Sequence, residues 1–282
     1  MQFLKNYRRH PIVVLLAAYQ LFMLALNILF STKIDHNLEW IGFDLLVLIF
    51  LGLSKINRID RLVTWSPLII IPVNFSQLHF LVHTVHPVDF DLQLIQIDHF
   101  LFGIHPTVWL EQFTLPIITE ILQIIYSTFY FLPIFLGLIL FFKHERENFE
   151  FFIFQIVFGF YLSYAGYFSI PAIGPRFTID HLQKFSLNGV WMMEEINMIL
   201  NKLENIQRDA FPSGHTALTL LTLFYAKKFS RKYYFFMIPV TTLMIISTVY
   251  LRYHYVIDVI AGVLLFIVLI TLGPFIYKKL QK

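Results

Sequence analysis

The sequence lacks cysteine and is poor in charged residues. Without Cys among its 282 residues, the chain holds neither a disulfide framework nor a thiolate metal site. Asp, Glu, Lys and Arg make up only 14% of the residues, whereas soluble domains carry roughly 25%. So little polar surface excludes a water-soluble globule of this length, and we expect the chain to lie in a membrane.

Apolar residues are abundant. Hydrophobic residues make up 57% of the chain and aromatic residues 18%, with 32 Phe among them. This composition is typical of packed, lipid-facing helices, so membrane lipids are expected neighbours. The net charge of +3 is spread along the chain without a basic stripe. A nucleic-acid partner is therefore not expected.

Eight apolar segments are candidates for crossing a bilayer, which takes about 20 mainly apolar residues per helix. The sequence thus predicts an all-α, polytopic membrane helix bundle of about eight transmembrane helices. We expect two accessory helices in residues 1–61, a core of six helices in 62–282 and an extracytoplasmic loop at 174–211. The predicted spans are 11–31, 38–54, 62–84, 116–142, 149–173, 212–226, 233–251 and 255–277.

Basic residues predict the orientation. With a cytoplasmic N-terminus, 15 of the 21 Lys and Arg residues fall on the cytoplasmic side. Cytoplasmic loops carry such an excess, so both termini are predicted to be cytoplasmic. The compact, Ile/Phe/Lys-rich composition favours a bacterial cytoplasmic membrane over a Golgi or ER membrane.

Three polar segments lie at span ends that share the predicted outer face. "IPAIGPRF" contains Arg176, "FPSGH" contains His215, and "LRYHYVIDVIAG" contains His254 and Asp258. Two crossings separate the two histidines, so the chain returns to the same face between them. We expect the three segments to form one extracytoplasmic site.

The tetrapeptide "PSGH" is typical of a helix N-terminus. Proline is favoured in the first turn, where its missing N–H is no loss. The free backbone N–H groups there can hold a phosphate, with Ser213 as an extra donor and Gly214 allowing close approach. The alternative is an ordinary helix cap followed by an interfacial histidine.

His254 and Asp258 are four residues apart, so on a helix they would share one face. A carboxylate that accepts from one ring nitrogen fixes the tautomer and leaves the other nitrogen as a base or nucleophile. The alternative is a structural pair that satisfies itself at the interface.

These segments resemble a known family. "AFPSGHTA" followed by "YHYVIDVIAG" is similar to the second and third signatures of the type 2 phosphatidic acid phosphatase and haloperoxidase superfamily. The Tyr-His-Tyr lead-in, with no Arg six residues before the second His, is closer to the inositol phosphorylceramide synthase and sphingomyelin synthase-like branch. The resemblance covers about residues 165–265 and is weaker upstream, in "IDHFLFGIHPTVWLEQF" and "TEILQIIYSTFY".

The resemblance implies a chemistry that needs neither a metal nor another cofactor. His254 would attack phosphorus and become a phosphohistidine, with Asp258 orienting its ring. His215 would act first as general acid and then as general base. Ser213 and Gly214 would bind the phosphoryl oxygens, and arginine would offset their charge.

The chain departs from the family pattern in its basic residues. The first signature has Lys, six residues, then Arg-Pro, but here Arg176 follows Pro175 and Ser169 stands in the lysine position. Thr248 replaces the arginine before the last signature. The candidates for phosphate binding are therefore Arg176 first, Arg252 second, and Arg208. Arg252 has the alternative of a snorkelling arginine that faces headgroups.

Other polar residues are weaker candidates. His79, His83 and His86 have a spacing that can serve zinc but is more typical of interfacial histidines. His86 and the intramembrane Glu120 are candidate substrate-binding residues, and Asp44 is a second acid inside an apolar span.

The sequence thus predicts an integral-membrane lipid phosphatase or phosphotransferase that acts at the extracytoplasmic face. Its substrate would be a phospholipid or lipid phosphate, and its acceptor water or a lipid alcohol. The alternative is a proton-coupled transporter that uses His254, Asp258 and Glu120 as a relay. A haloperoxidase activity is remote, because the chain is membrane-embedded and lacks the Lys-Arg signature.

Overall fold

The structure is a computed structural model that describes residues 10–34, 36–53, 60–204 and 208–282. Within these ranges every regular element is helical. Among the basic residues that predict orientation, Lys5, Arg8, Arg9, Lys55 and Arg58 lie outside the described ranges. The helices are α1 (Pro11–Leu29), α2 (Asn37–Leu53), α3 (Asp60–Trp65), α4 (Pro67–Val85), α5 (Asp91–Phe102), α6 (Pro106–Trp109), α7 (Pro116–Ser127), α8 (Phe131–Phe142), α9 (Arg146–Ser169), α10 (Pro175–Thr178), α11 (Met193–Glu204), α12 (Gly214–Phe229), α13 (Arg231–Tyr250) and α14 (Val256–Leu280).

The predicted helical membrane bundle is confirmed, although fewer than eight helices are long enough to span. Among the described residues, α1, α4, α9, α13 and α14 are long and apolar enough to cross a membrane. The predicted span 116–142 is broken into α7 and α8, which meet at a bend of 48° and count as a sixth span if taken together. The predicted spans 38–54 and 212–226 are the helices α2 and α12, which have only 17 and 16 residues.

Helix α9 is the centre of the bundle and the most buried of the candidate spans. One side of it packs with α1, α2 and α4 in a continuous apolar core. The other side packs with α7, α8, α12, α13 and α14 in a second core. Aromatic contacts join α9 to its neighbours, as in the stack of Tyr19 on Tyr161 with ring centroids 3.8 Å apart. The division into accessory and core helices stays a prediction.

A buried polar cluster lies between α1, α2 and α4. The Asp44 carboxylate accepts from the side-chain amide of Asn27 at 2.8 Å, from that of Gln77 at 2.9 Å and from that of Gln20. Asp44, Asn27 and Gln20 are completely buried. In hydrocarbon such groups have to pair with one another, since a buried polar group without a partner costs about 1–3 kcal/mol. We refer to these four residues as the Asp44 cluster.

Close packing against a glycine sets the position of the segment before α12. A Cβ placed on Gly166 of α9 would lie 2.2 Å from Cδ of Pro212. The ring of proline cannot rotate away, so only glycine allows this approach. The contact brings the start of α12 directly onto the end of α9.

Substitution of Gly166 by Ala tests this contact. We expect it to lower the stability by about 1–3 kcal/mol through overpacking, although Ala is the better helix former by about 1 kcal/mol. Thermal unfolding of the purified protein in detergent measures the change. Gly42→Ala in α2 is the control, because a Cβ there meets nothing within 4 Å. Equal melting temperatures for the two variants would contradict the packing argument.

Candidate functional site

The three polar segments meet at one end of the bundle. The N–H of Ala210 donates to the Ala172 carbonyl at 3.1 Å, and the N–H of Ser213 donates to the Asp258 carbonyl at 3.0 Å. Gly174, with φ of +97°, lies so close to Tyr253 that a Cβ would be 2.6 Å from its carbonyl oxygen. The end of α9, the start of α12 and the segment before α14 are therefore in direct contact, as the spacing of the motifs predicts.

Helix α12 begins two residues later than "PSGH" suggests. Ser213 is the N-cap, and its Oγ accepts from the N–H of Thr216 at 3.3 Å. Pro212 therefore precedes the cap and is not in the first turn. Within the described part of the chain, no acceptor pairs with the N–H groups of Gly214 and His215. Two free amides and the positive end of the helix dipole thus point at the site, which suits an anion.

His254 lies in the irregular segment between α13 and α14, not on a helix with Asp258 as the spacing suggests. Its Nδ1 is 2.8 Å from the carbonyl oxygen of Ala210 and 3.5 Å from Oδ2 of Asp258. A carbonyl oxygen can only accept, so Nδ1 carries the proton. The closer partner is a backbone group that sequence spacing does not reveal. Nε2 is thereby left with its lone pair.

His215 faces His254 across the site. The centroids of the two rings are 5.8 Å apart. The His215 ring lies between Tyr126 and Phe129, with centroid distances of 4.4 and 4.1 Å. Its Nε2 is buried and has no hydrogen-bond partner among the described residues. A buried nitrogen without a hydrogen-bond partner is costly. A ligand that forms a hydrogen bond with Nε2 would remove this cost and bind favourably here.

Asp98 of α5 holds the start of α14, a role that the sequence analysis missed. Its two carboxylate oxygens accept from the N–H groups of Val256 and Ile257, each at 2.8 Å. Oδ2 of Asp258 accepts from the N–H of Tyr255 at 2.8 Å and closes a capping box. The N-terminal amides of α14 are thus occupied by carboxylates, so of these two helices α12 is the one with free N-terminal amides.

Asp91, at the start of α5, holds the segment after α9 in the same way. Its carboxylate accepts from the N–H of Ile173 at 2.9 Å, from that of Gly174 at 2.8 Å and from the hydroxyl of Tyr255 at 2.8 Å. The sequence signal for Asp98 is the upstream resemblance in "IDHFLFGIHP", a stretch that does not include Asp91. Neither their spacing nor any local pattern points to partners that lie about 80 to 160 residues away.

Two of the three candidate arginines form ion pairs in the described part of the chain. Arg252 donates to Glu111 at 2.9 Å and to Gln183 at 2.7 Å, and it is buried. Arg208 donates to both carboxylate oxygens of Asp89, at 2.7 and 3.1 Å. Their proposed contacts with phosphate stay predictions.

Arg176 is in α10, beside the site. Its guanidinium lies 5.6 Å from the ring centroid of Tyr253. That ring stacks on Tyr126 at 4.3 Å, and Tyr126 stacks on His215. A column of rings therefore connects Arg176 with the two histidines.

The weaker candidates lie elsewhere or have other partners. Glu120 accepts from the N–H groups of Val190, Trp191 and Met192 at 2.8–3.1 Å, so it caps the segment that leads into α11. His86 ends α4 with its ring 5.3 Å from that of Phe90. In the described ranges, His79, His83 and His86 do not form part of any group of three His, Asp or Glu side chains suited to a metal.

A cavity of about 700 Å³ opens beside His215. Asp209, Gly214 and His215 line its polar end. Its apolar wall follows α9 from Ile153 to Tyr167, which is about 21 Å at 1.5 Å per residue. Ile196, Ile199 and Leu200 of α11 cover one side. The cavity is therefore long and apolar, and it reaches His215 of the histidine pair.

Asp209 is a further group at this site that motif spacing does not single out. Burial raises the pKa of its carboxyl to about 6, against the opposing effect of His254. A carboxyl group taken from water is disfavoured in its charged form, which explains the direction. The site therefore contains an acid that changes charge near neutral pH.

The raised pKa of Asp209 predicts a pH effect on stability. Between the ordinary pKa of 3.8 and about 6, the unfolded chain is ionised at this position while the folded protein keeps the proton. Stability therefore falls as the pH rises through this window and then levels off. We expect Asp209→Asn to remove this part of the decline in melting temperature measured from pH 4 to 8. Asp180→Asn, at a side chain that is 68% exposed, should keep the wild-type profile; parallel profiles for all three proteins would refute the assignment.

Comparison with known proteins supports the resemblance in the motifs. The family profile of the PAP2 superfamily matches residues 92–272, which run from the second residue of α5 through α13 and most of α14. No curated protein and no solved structure gave a significant match. The matched region contains His215, His254 and the carboxylates that hold them. Since the match covers more than half of the chain, this integral membrane protein belongs to the PAP2 superfamily.

Proposed function

We propose that the protein is a lipid phosphatase or phosphotransferase that works through a phosphohistidine at His254. The observation that carries the proposal is the pair of imidazoles 5.8 Å apart, beside the free amides of α12 and at the mouth of an apolar cavity. A phosphoryl group between the two rings would be within reach of a nucleophile on one side and an acid on the other.

In the first half-reaction, Nε2 of His254 attacks phosphorus and the P–O bond to the lipid alcohol breaks. The Ala210 carbonyl holds the proton on Nδ1, and Asp258 stabilises the positive charge that the ring acquires. His215 gives its proton to the leaving oxygen. The products are the free lipid alcohol and a phosphorylated His254.

In the second half-reaction, water or an alcohol attacks the phosphorus. His215, now neutral, takes the proton of the attacking hydroxyl and the N–P bond breaks. Each histidine returns to its starting state, so the cycle balances without a metal or another cofactor. The N–H groups of Gly214 and His215 and the hydroxyl of Ser213 would bind the non-bridging oxygens throughout.

The arginines near the site bear on phosphate binding. Arg252 and Arg208 form ion pairs with Glu111 and Asp89, and Arg176 lies beside the ring of Tyr253, so we keep Arg176 as the leading arginine for phosphate. We infer a phospholipid donor whose headgroup is transferred from the motifs that are similar to the inositol phosphorylceramide synthase-like branch.

The apolar cavity supports the choice of a lipid as substrate. Its apolar wall suits an acyl chain, and burial of such a chain contributes about 0.8 kcal/mol per CH₂. The excess of basic residues in the loops predicted to be cytoplasmic supports cytoplasmic termini and a site at the extracytoplasmic face. We propose a bacterial cytoplasmic membrane as its location.

Substitution of the two histidines should separate the half-reactions. We expect His254→Ala to lower the release of diacylglycerol from phosphatidic acid or phosphatidylinositol in mixed micelles by a factor of about 10³ or more. His215→Ala should lower turnover by a factor of about 10²–10⁴. With a donor whose phosphorus is radioactive, the His215→Ala protein should also retain an acid-labile radioactive phosphoryl group.

The exposed His36 supplies the control, since its side chain is 65% exposed. His36→Ala should keep wild-type activity. Retention of activity by a correctly folded His254→Ala protein would reject the mechanism.

The choice between water and an alcohol as acceptor is a separate prediction. With phosphatidylinositol as donor, we expect added ceramide or diacylglycerol to become the headgroup-bearing product, detected by chromatography of the lipids. His254→Ala should abolish this product, because transfer and hydrolysis share the first half-reaction. If only free inositol phosphate or phosphate forms with every acceptor, the protein is a phosphatase and the transferase assignment fails.

A further inference from the structure

The Asp44 cluster is a second polar site, separate from the histidine pair. It is formed by α1, α2 and α4, none of which carries His215 or His254. Asp44, Gln20 and Asn27 are completely buried, and Gln77 is 1% exposed. Within the described ranges, no Lys, Arg or His nitrogen lies within 4.0 Å of the Asp44 carboxylate. All its observed partners are neutral carboxamides.

The cluster contains acceptors without donors. Oε1 of Gln20 and Oδ1 of Asn27 are buried and have no hydrogen-bond partner among the described residues. Each belongs to an amide whose NH₂ group donates to Asp44. The terminal torsion of a carboxamide has a broad distribution, so these amides can rotate by half a turn. Their oxygens would then face the same point as the oxygens of the Asp44 carboxylate. The cluster then offers up to five hard oxygens, two from Asp44 and one from each amide.

We propose that the Asp44 cluster binds one sodium ion. Carboxylate and carboxamide oxygens are the ligands that hard cations prefer. The site has a single formal negative charge, so a monovalent ion makes it neutral, whereas a divalent ion would leave a net positive charge in the bilayer. Burial among apolar residues penalises either imbalance. Sodium neutralises Asp44 and supplies the partner that Gln20 and Asn27 lack.

Thermal unfolding of the full-length protein in detergent tests the site. A ligand of the folded state stabilises it in proportion to the logarithm of its concentration. We expect the melting temperature to rise by roughly 3 °C or more for each tenfold increase in NaCl above the dissociation constant. The ionic strength is held constant with choline chloride. Radioactive Na⁺ should bind with a stoichiometry of one per chain.

Asp44→Asn is the decisive variant, because it keeps the shape of the side chain and removes the charge. It should fold, lose the sodium-dependent shift and lose Na⁺ binding. Asn27→Ala removes one candidate ligand and should lower the affinity at least tenfold. Glu39→Gln is the control on the same helix, at a side chain that is 77% exposed, and it should keep the wild-type response.

Three results would overturn the proposal. The first is an equal melting temperature of the wild type in NaCl and in choline chloride. The second is a sodium-dependent shift that Asp44→Asn keeps, which would place the sodium site elsewhere. Stabilisation by acid but not by Na⁺, lost in Asp44→Asn, would show that a proton and not sodium neutralises the carboxylate. None of these measurements depends on phosphoryl transfer, so the outcome is independent of the proposed function.

Discussion

The segment that carries His254 leaves helical geometry between two membrane spans, and every polar group of its backbone needs a partner inside the protein. Backbone carbonyls and three carboxylate contacts supply these partners. Asp98 takes the amides of Val256 and Ile257, and Asp258 takes that of Tyr255. The carbonyl of Thr248 accepts from the N–H of His254 at 3.0 Å. Because these bonds fix the backbone on both sides of His254, its ring can be oriented by a single carbonyl. The geometry of the histidine pair therefore depends on acids that do not touch a substrate.

The position of the histidine pair also depends on how α12 packs against α9. His215 enters the site from the first turn of α12, whose start is pressed onto Gly166 of α9. Along that same helix the apolar cavity extends away from the histidines. The histidine site and the apolar cavity thus share one wall, with Tyr167 and Gly214 at the boundary. The proposed lipid substrate, with a phosphate near its acyl chains, would fit such a boundary.

The sequence predicted the parts of the structure that depend on composition and chain parity. The apolar segments predicted the helices. The two predicted crossings between His215 and His254 placed both rings at the same end of the bundle. Proline and local backbone geometry shifted the details: α12 starts after "PS", the span 116–142 is bent, and His254 lies outside the helix of Asp258. Long-range partners could not be predicted, because nothing near Asp98 or Glu111 in the sequence indicates α14 or Arg252. Arg252 and Arg208 are candidate phosphate-binding residues in the sequence, because the sequence does not show that they face Glu111 and Asp89.

The buried acids show how a carboxylate in an apolar span can be interpreted. Sequence alone gives Asp44, Glu120 and Asp258 the same status, since each falls in or beside a hydrophobic helix. Their partners separate them. Glu120 accepts from three backbone N–H groups and completes a turn, so its role is explained by structure alone. Asp258 has a backbone N–H and the ring of His254, and its unpaired Oδ1 lies in a site that already holds a titratable partner. Among the described residues, Asp44 pairs with neutral amides alone, and two of those amides have unpaired oxygens of their own. This difference in partners, more than burial, is the reason to propose a cation at Asp44 and a structural role for Glu120.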